Sequence, residues 1–269
     1  MSAPKGYVDR EYLDTTAQLM ARIKQRSFEM MALKRGQRVL DLGCGPGTDT
    51  AALGRVVGST GEVHGVDYDE AMVALADARA HAEGMGAWVS HHHANATALP
   101  WASGFFDASR SERLFQHLLD PERAFDEMVR VTKPDGVLVV IDGDWATLTI
   151  DSDETDLERR LVQFHAAHMM NNPFSGRHLH RMFTRRGLQD IRRCAARIPD
   201  RCCPRPPGRT AGPDRAGGAG GRRNRHRGIP ALGGEPRSRG CRWWVFRLRE
   251  CGNGVGAQAP RLMEADDIQ

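Results

Sequence analysis

The stretch R-V-L-D-L-G-C-G-P-G-T-D-T at residues 38–50 constrains this chain more than any other. Val39, Leu40 and Leu42 give a short buried-strand signal around Asp41. Three glycines then follow inside five positions, and helix-forming residues resume at Thr48. Glycine takes positive φ at little cost and lets a ligand approach bare backbone. A helix opening at Thr48 aims its unpaired first-turn N–H groups into the same space. Strand, bare turn and helix together predict that residues 43–47 hold a polar or anionic ligand at the carboxyl end of a strand.

The alternation continues downstream. Gly61–Asp67 reads as a second strand, and residues 69–83 as a helix of strong formers closed by Gly84. Trp88–His93 and Phe105–Ser109 read as strands. Asp120-Pro121-Glu122 opens a helix with a capping acid and a first-turn proline. That helix must stop near Lys133-Pro134, because the residue before proline avoids helical geometry. Asp135-Gly136 predicts a turn and Val137–Ile141 a fifth strand. Upstream, Leu19, Ile23, Ser27, Met30 and Met31 recur near 3.6 residues and predict a helix over 8–33. Two more helices are expected at 153–170 and about 175–186, the first with Leu157, Leu161, Val162, Phe164 and His165 on one side. Strands alternating with helices imply crossover connections. The expected fold is therefore α/β, a Rossmann-like doubly wound, mainly parallel sheet with helices on both faces and ligands at the carboxyl ends of its strands.

At the end of the second expected strand, about 24 residues past Gly43, stands Asp67. A carboxylate there can accept both hydroxyls of a ribose, so loop and acid together point to a nucleoside-containing cofactor. A dinucleotide site would read G-x-G-x-x-G. Asp41–Gly47 instead reads D-L-G-C-G-P-G, which resembles the first motif, D-x-G-x-G-x-G, of the class I S-adenosylmethionine-dependent methyltransferases. G-V-D-Y-D-E-A-M at 65–72 and N-A-T-A-L-P at 95–100 are similar to that family's next two motifs. F-D at 106–107, Q-H-L-L-D-P at 116–121, E-M-V-R-V at 127–131 and K-P-D-G at 133–136 resemble its subgroup of quinone C-methyltransferases and natural-product tailoring enzymes. The resemblance spans roughly residues 8–190.

The resemblance implies S-adenosylmethionine as cofactor and methyl transfer to an O, N or C nucleophile of a small-molecule acceptor. It implies that Asp41, Gly43, Cys44, Gly45 and Gly47 surround the amino-acid half of the cofactor, and that Asp67 takes the ribose. Tyr68 and Met72 are implied against the adenine. Asn95, where the family usually has aspartate, can offer its carbonyl to the adenine amino group, with Ala96 beside it. Arg110 and Glu112 lie where the loop after the fourth strand would pass the cofactor. Residues 1–34 are expected to form a helical cover over the site, and 35–191 the cofactor-binding methyltransferase domain.

Other polar residues carry alternatives. His117 follows the fourth strand on the ligand side; it can act as a general base on the acceptor or pin its loop to Asp120 or a backbone group. Asp142, Asp144 and Trp145 follow the fifth strand and can face the pocket, and Arg177 can clamp an acidic substrate or lie on the surface. His91-His92-His93 reads as surface or packing histidines, since only His91 and His93 share a strand face and no acid or cysteine cluster completes a metal site. Asn171-Asn172-Pro173-Phe174 has one proline too few, and lies one strand too late, to be an amino-methylating motif.

The last third has a different composition. Residues 191–269 hold 17 Arg against 7 Asp+Glu, a balance of +10, whereas residues 1–190 carry −6, giving the chain's +4. Five of the six cysteines also fall there. Residues 192–269 therefore read as an Arg/Gly/Pro-rich tail unable to offset its chain entropy by apolar burial, with the last strands of the sheet disrupted. Arg outnumbers Lys 34 to 4, which suits GC-rich coding and a shifted reading frame beginning near residue 192. A cofactor-binding relic without turnover, or an RNA-associated methyltransferase using the basic tail, are the alternatives to a small-molecule enzyme. An N-terminus without an apolar signal segment and the lack of any run of about 20 apolar residues give a cytoplasmic, membrane-free expectation.

Overall fold

The computed structural model describes residues 20–150, 152–197, 238–239 and 242–249. In chain order they form α1 (Ala21–Met31), β1 (Arg38–Leu42), α2 (Thr48–Val57), β2 (Glu62–Asp67), α3 (Glu70–Ala82), β3 (Val89–His93), β4 (Phe106–Glu112), α4 (Pro121–Val131), β5 (Thr132–Asp144), β6 (Thr149–Ile150), α5 (Thr155–Met169), α6 (Ser175–Arg185), β7 (Gln189–Arg197), β8 (Ser238–Arg239) and β9 (Arg242–Arg249). Single 3₁₀ turns at Phe115–His117 and Trp145–Thr147 follow β4 and β5. The main sheet has seven strands in the order β3-β2-β1-β4-β5-β9-β7. Strands β1 to β5 are mutually parallel, and β9 runs antiparallel to both β5 and β7.

Local chemistry sets the ends of the helices. Asp69 caps α3 by accepting from the Ala71 N–H at 2.9 Å, and Asp120 caps α4 by accepting from the Arg123 N–H at 3.0 Å. Pro121 occupies the first turn of α4, where a missing N–H costs nothing. At the other end of α4 the Thr132 hydroxyl donates to the Met128 carbonyl at 2.7 Å, so the chain passes from helix into strand within one residue. The turn expected at Asp135-Gly136 is an irregularity inside β5: pairing slips between Phe106 and Ala108, and Asp135 takes φ +64°.

The sheet divides the core in two. Leu40 and Leu42 of β1, Phe106 of β4 and Leu138 and Val140 of β5 face α4 and α6, meeting Phe125, Met128, Leu179 and Phe183. The alternate residues Val39, Val63, Ala108, Val139 and Ile141 face α1 and α2, meeting Ile23, Met31, Leu53 and Val57. Each fully buried aliphatic side chain of this kind contributes about 1.5–3 kcal/mol.

The described part of the N-terminal segment is α1, whose Lys24 reaches Asp49 in the first turn of α2 and Glu112 at the end of β4. It lies on a sheet face, burying Ile23, Ser27 and Met31; residues 8–19 of the expected helix lie outside the described residues. β7 spans the expected boundary at 191/192, and β9 lies between β5 and β7 with Val140 opposite Phe246. The reason is local, since R-W-W-V-F-R-L-R concentrates the residue types that favour a sheet within an otherwise arginine- and glycine-rich region. The centre of the Arg/Gly/Pro-rich stretch, 198–237, lies outside the described residues.

Candidate functional site

The loop between β1 and α2 turns through three left-handed glycines: Gly43 at φ +81°, Gly45 at φ +51° and Gly47 at φ +76°. The Gly43 and Cys44 N–H groups both donate to the Val66 carbonyl, at 2.8 and 2.9 Å, which fastens the loop to the end of β2. The Gly45 N–H donates to Asp67 Oδ2 at 2.8 Å, while Asp67 Oδ1 accepts from the Asp69 N–H at 3.0 Å. Loop and acid are thus one hydrogen-bonded unit. Burial pushes the Asp67 carboxyl up, and the amide donors pull it down less strongly. A carboxylate has about four acceptor positions; with the Gly45, Asp69 and Tyr68 amides against it, Asp67 keeps capacity for a further donor.

The glycines differ in what surrounds them. A Cβ on Gly47 would sit 2.8 Å from the Ala76 Cβ, so this glycine lets α2 and α3 close together. A Cβ on Gly43 would lie 3.1 Å from the Leu114 Cβ, bringing the segment after β4 against the loop. Around Gly45 there is open space, with nothing within 4 Å of an added Cβ. A ligand could therefore lie on bare backbone at Gly45, beside Asp67 and before the amino end of α2, which has no side-chain cap. Cys44 is buried, its thiol pushed up by that burial, and its sulfur lies 2.9 Å from where a Gly65 Cβ would be.

Around this unit, Tyr68 is 73% exposed and its ring is 6.0 Å from that of His93. Met72 and Ala96 are buried in the segments that follow β2 and β3. The Asn95 carbonyl oxygen is already engaged, accepting from the Thr97 N–H at 3.0 Å and the Thr97 hydroxyl at 2.9 Å. An adenine amino group would share that oxygen with Thr97.

Arg110, expected beside the cofactor, is enclosed below the loop and paired with acids. It lies inside β4, 1% exposed, with Asp41 on the neighbouring strand and Glu112 two residues along the same face. Its guanidinium reaches Asp41 at 3.2 Å, Asp49 at 3.0 Å, Glu112, and the Ser27 hydroxyl at 3.2 Å. Lys24 of α1 bridges Asp49 at 2.6 Å and Glu112 at 3.0 Å, and Arg113 lies 3.3 Å from Glu112. Three acids and three bases therefore meet beneath the glycine loop. Burial raises the Asp41 carboxyl and Arg110 only partly offsets this; at Asp49 the cations Arg110 and Lys24 outweigh burial and lower it. Asp41 is thus a buried member of this cluster at 2% exposure, and any action on a ligand must pass through the loop above it. Lys24, Ser27 and Asp49 carry no motif signal in the sequence.

On the far side of the sheet's carboxyl edge, His117 closes the 3₁₀ turn after β4. Its carbonyl accepts from the Asn171 side chain at 2.7 Å, and the Asn172 side chain donates to the Phe115 carbonyl at 2.9 Å. The Asn-Asn pair, with no catalytic motif to its name, fastens the segment before α6 onto this turn. Asp142 is fully buried. It accepts from the Gln116 N–H at 3.0 Å, the Ser175 hydroxyl at 3.1 Å and the Gly143 N–H at 2.8 Å, and burial raises its carboxyl to about 7. Arg177 is paired with Asp144 through two bonds, at 2.6 and 2.9 Å, so clamping an acidic substrate would compete with that acid. Next to Trp145 opens a mainly apolar groove of about 350 Å³, lined by Ala146, Val162, Ala166, Pro173 and Phe174 with Arg159 and Gln163.

The three successive histidines separate as the strand pleat requires. His91 is buried between Asp77 at 2.7 Å and the Thr50 hydroxyl at 2.8 Å, and His92 stacks on His64 across the other face. Among the described residues, no three His, Cys, Asp or Glu side chains are grouped to hold a metal, and no helix is long and apolar enough to cross a membrane.

Comparison with known proteins places the chain among methyltransferase-like sequences and folds. Residues 40–140 match the model of the methyltransferase domain family. An uncharacterized 37.1 kDa protein in transposon TN4556 of Streptomyces fradiae is 36% identical over 173 residues, 64% of this chain and 49% of that protein. The ubiquinone/menaquinone biosynthesis C-methyltransferase UbiE of Yersinia pestis is 37% identical over 119 residues, 44% of this chain and 47% of its own length. The chain thus spans about half the length of the curated relatives it matches. Among solved structures, an S-adenosylmethionine-dependent methyltransferase from Aquifex aeolicus has the same fold, with a TM-score of 0.56 at 16% identity over 90% of this chain and 100% of that one.

Proposed function

We propose that this chain, whose residues 40–140 carry a domain of the class I S-adenosylmethionine-dependent methyltransferase family, transfers a methyl group from that cofactor to a small-molecule acceptor. The observation that carries the reading is the pairing of the Gly45 amide with Asp67 under open space at Gly45. When bound, S-adenosylmethionine supplies a methyl group already activated by its sulfonium. The protein's part is then alignment and exclusion of water, which can account for much of a transfer rate.

In this reading Asp67 accepts from the ribose hydroxyls, and the Gly43–Gly47 backbone supports the amino-acid half of the cofactor. Tyr68, Met72 and Ala96 border the base, with Asn95 able to turn from Thr97 to the adenine amino group. Asp41 and its cluster keep the loop in place from below. The acceptor is expected on the side of His117 and the apolar groove at Ala146 and Phe174, which favours an uncharged, largely apolar small molecule over a nucleic acid. The named activity of the Yersinia relative, C-methylation in ubiquinone and menaquinone biosynthesis, fits an acceptor of that kind.

Titration calorimetry with S-adenosylmethionine and with its demethylated product tests the cofactor site. Transfer from labelled cofactor to a panel of apolar phenols, quinols and amines tests the acceptor class. Asp67→Ala is expected to weaken cofactor binding at least about tenfold, about 1.4 kcal/mol. Full affinity in that variant would remove the site assignment.

A further inference from the structure

The Trp145 indole N–H donates to Gln116 Oε1 at 2.8 Å, and Gln116 Nε2 lies 2.9 Å from His117 Nε2. Indole nitrogen can only donate, so the first bond fixes which end of the Gln116 amide faces which neighbour. The amide NH₂ is therefore the end that meets His117, and His117 Nε2 must accept. A neutral imidazole that accepts at Nε2 carries its proton on Nδ1.

We propose that Trp145 and Gln116 are positioning residues that lock His117 as the neutral, Nδ1-protonated tautomer, so that this imidazole does not act as a general base: Nε2 is occupied by the Gln116 amide, and the protonated Nδ1 is buried. Gln116 is well placed to impose this. It is buried; its N–H donates to Asp142 Oδ2 at 3.0 Å, and its carbonyl accepts from the Asn172 N–H at 2.9 Å. Trp145 is held in turn by its own N–H on the Pro173 carbonyl at 2.9 Å and by the His165 ring at 5.1 Å between centroids. A proton at Nε2 would set an N–H against the amide N–H and break the bond, so the hydrogen bond selects the tautomer. The lock itself follows from the hydrogen bonds alone. Its meaning for catalysis, an imidazole that holds its turn in place and takes no proton from the acceptor, rests on the methyl-transfer reading above.

Long-range ¹H–¹⁵N correlation of the full chain labelled with [¹⁵N]histidine reads the tautomer directly and needs no cofactor or acceptor. A His117→Ala spectrum identifies the signals. The wild type is expected to show a protonated Nδ1 and an unprotonated Nε2 at residue 117, the reverse of the form that unconstrained histidine favours in water. Gln116→Glu keeps the shape but replaces the amide donor by an acceptor, so the proton should move to Nε2. Trp145→Phe releases the amide to turn over, and a substantial Nε2-protonated population should appear. A wild-type protein with Nε2 protonated overturns the proposal, even if neither variant folds. A Gln116→Glu protein that kept its proton on Nδ1 would overturn it as well. Failure of methyl transfer with a correct tautomer would count against the reading of function and leave the lock standing.

Discussion

Gly45 and Gly47 share a backbone conformation and differ in their surroundings, which makes the pair a direct test of what the loop is for. Both are left-handed, so alanine at either position strains the backbone by about 1–2 kcal/mol. At Gly45 that is the whole cost to folding, because an added methyl meets nothing within 4 Å. At Gly47 the methyl would lie 2.8 Å from the Ala76 Cβ and 2.9 Å from its Cα, between two packed helices. Overpacking of this kind adds about 1–3 kcal/mol, for a total of about 2–5 kcal/mol. Set against a usual stability of about 5–15 kcal/mol, Gly45→Ala should fold well and Gly47→Ala should be visibly weakened. Binding should rank them differently. In Gly45→Ala the new methyl occupies space assigned to the cofactor, and affinity for S-adenosylmethionine should fall at least about tenfold. Urea unfolding and titration calorimetry on the two variants measure both quantities. A Gly45→Ala protein that binds the cofactor as tightly as wild type refutes the assignment of that space. A Gly47→Ala protein as stable as Gly45→Ala refutes the packing argument.

Removing one member of the buried ion cluster leaves the others uncompensated, so Arg110→Met is expected to cost about 3–5 kcal/mol in urea unfolding at neutral pH; a loss below about 1 kcal/mol would mean that water or relaxation screens the three acids. Asp142 gives a pH signature. Its folded value of about 7 stands above the ordinary 3.8, so the folded state holds this proton more tightly than the unfolded one. The stability it contributes is complete below about pH 4 and is lost as pH rises through about 7. The whole span amounts to at most about 4 kcal/mol. Unfolding free energies measured from pH 4 to 8 should show that decline in the wild type and a flatter profile in Asp142→Asn; parallel profiles would assign the slope to other groups.

Most of the order of elements as far as Arg185 is written in local pattern: short Val/Leu-bearing segments between glycines and helix formers, one five-residue apolar run at Val137–Ile141, the capping acid Asp120, and Lys133-Pro134 closing α4. The glycine turn is readable for the same reason, since a backbone that must take positive φ has few residues to choose from. What escapes is whatever depends on distant partners. Arg110 reads as a pocket residue because a lone arginine after a strand signal resembles one. Its ordering partner Ser27 is 83 residues away, and its acids come from β1, α2 and β4. Alternation does give a hint, for Arg110 and Glu112 fall on one face of β4 and Asp41 lies opposite Arg110 in the parallel register. β9 escapes because its apolar run sits in an arginine-rich context and pairs with β5 more than a hundred positions earlier, Val140 with Phe246. Asn171 and Asn172 act by fastening two segments together, a task that any side-chain donor of suitable reach could perform.

The ion cluster also bears on why the loop can be ready before a ligand arrives. Burying six charged groups is costly, several kcal/mol for each ion by itself, and an apolar set of equal volume would stabilise the fold as well or better. The cluster is therefore a poor source of net stability. What it adds is a unique arrangement. An apolar patch would accept α1 in several registers, whereas only one register puts Lys24 between Asp49 and Glu112 while Ser27 meets Arg110. Asp49 stands in the first turn of α2, two residues beyond Gly47, and Glu112 ends β4 next to the segment that touches Gly43. The contacts that fix α1 thus also fix the two walls of the glycine loop. Restricting the loop in advance lowers the ordering cost of binding, so the energy spent on buried charge returns as affinity at a site that none of those charges needs to touch.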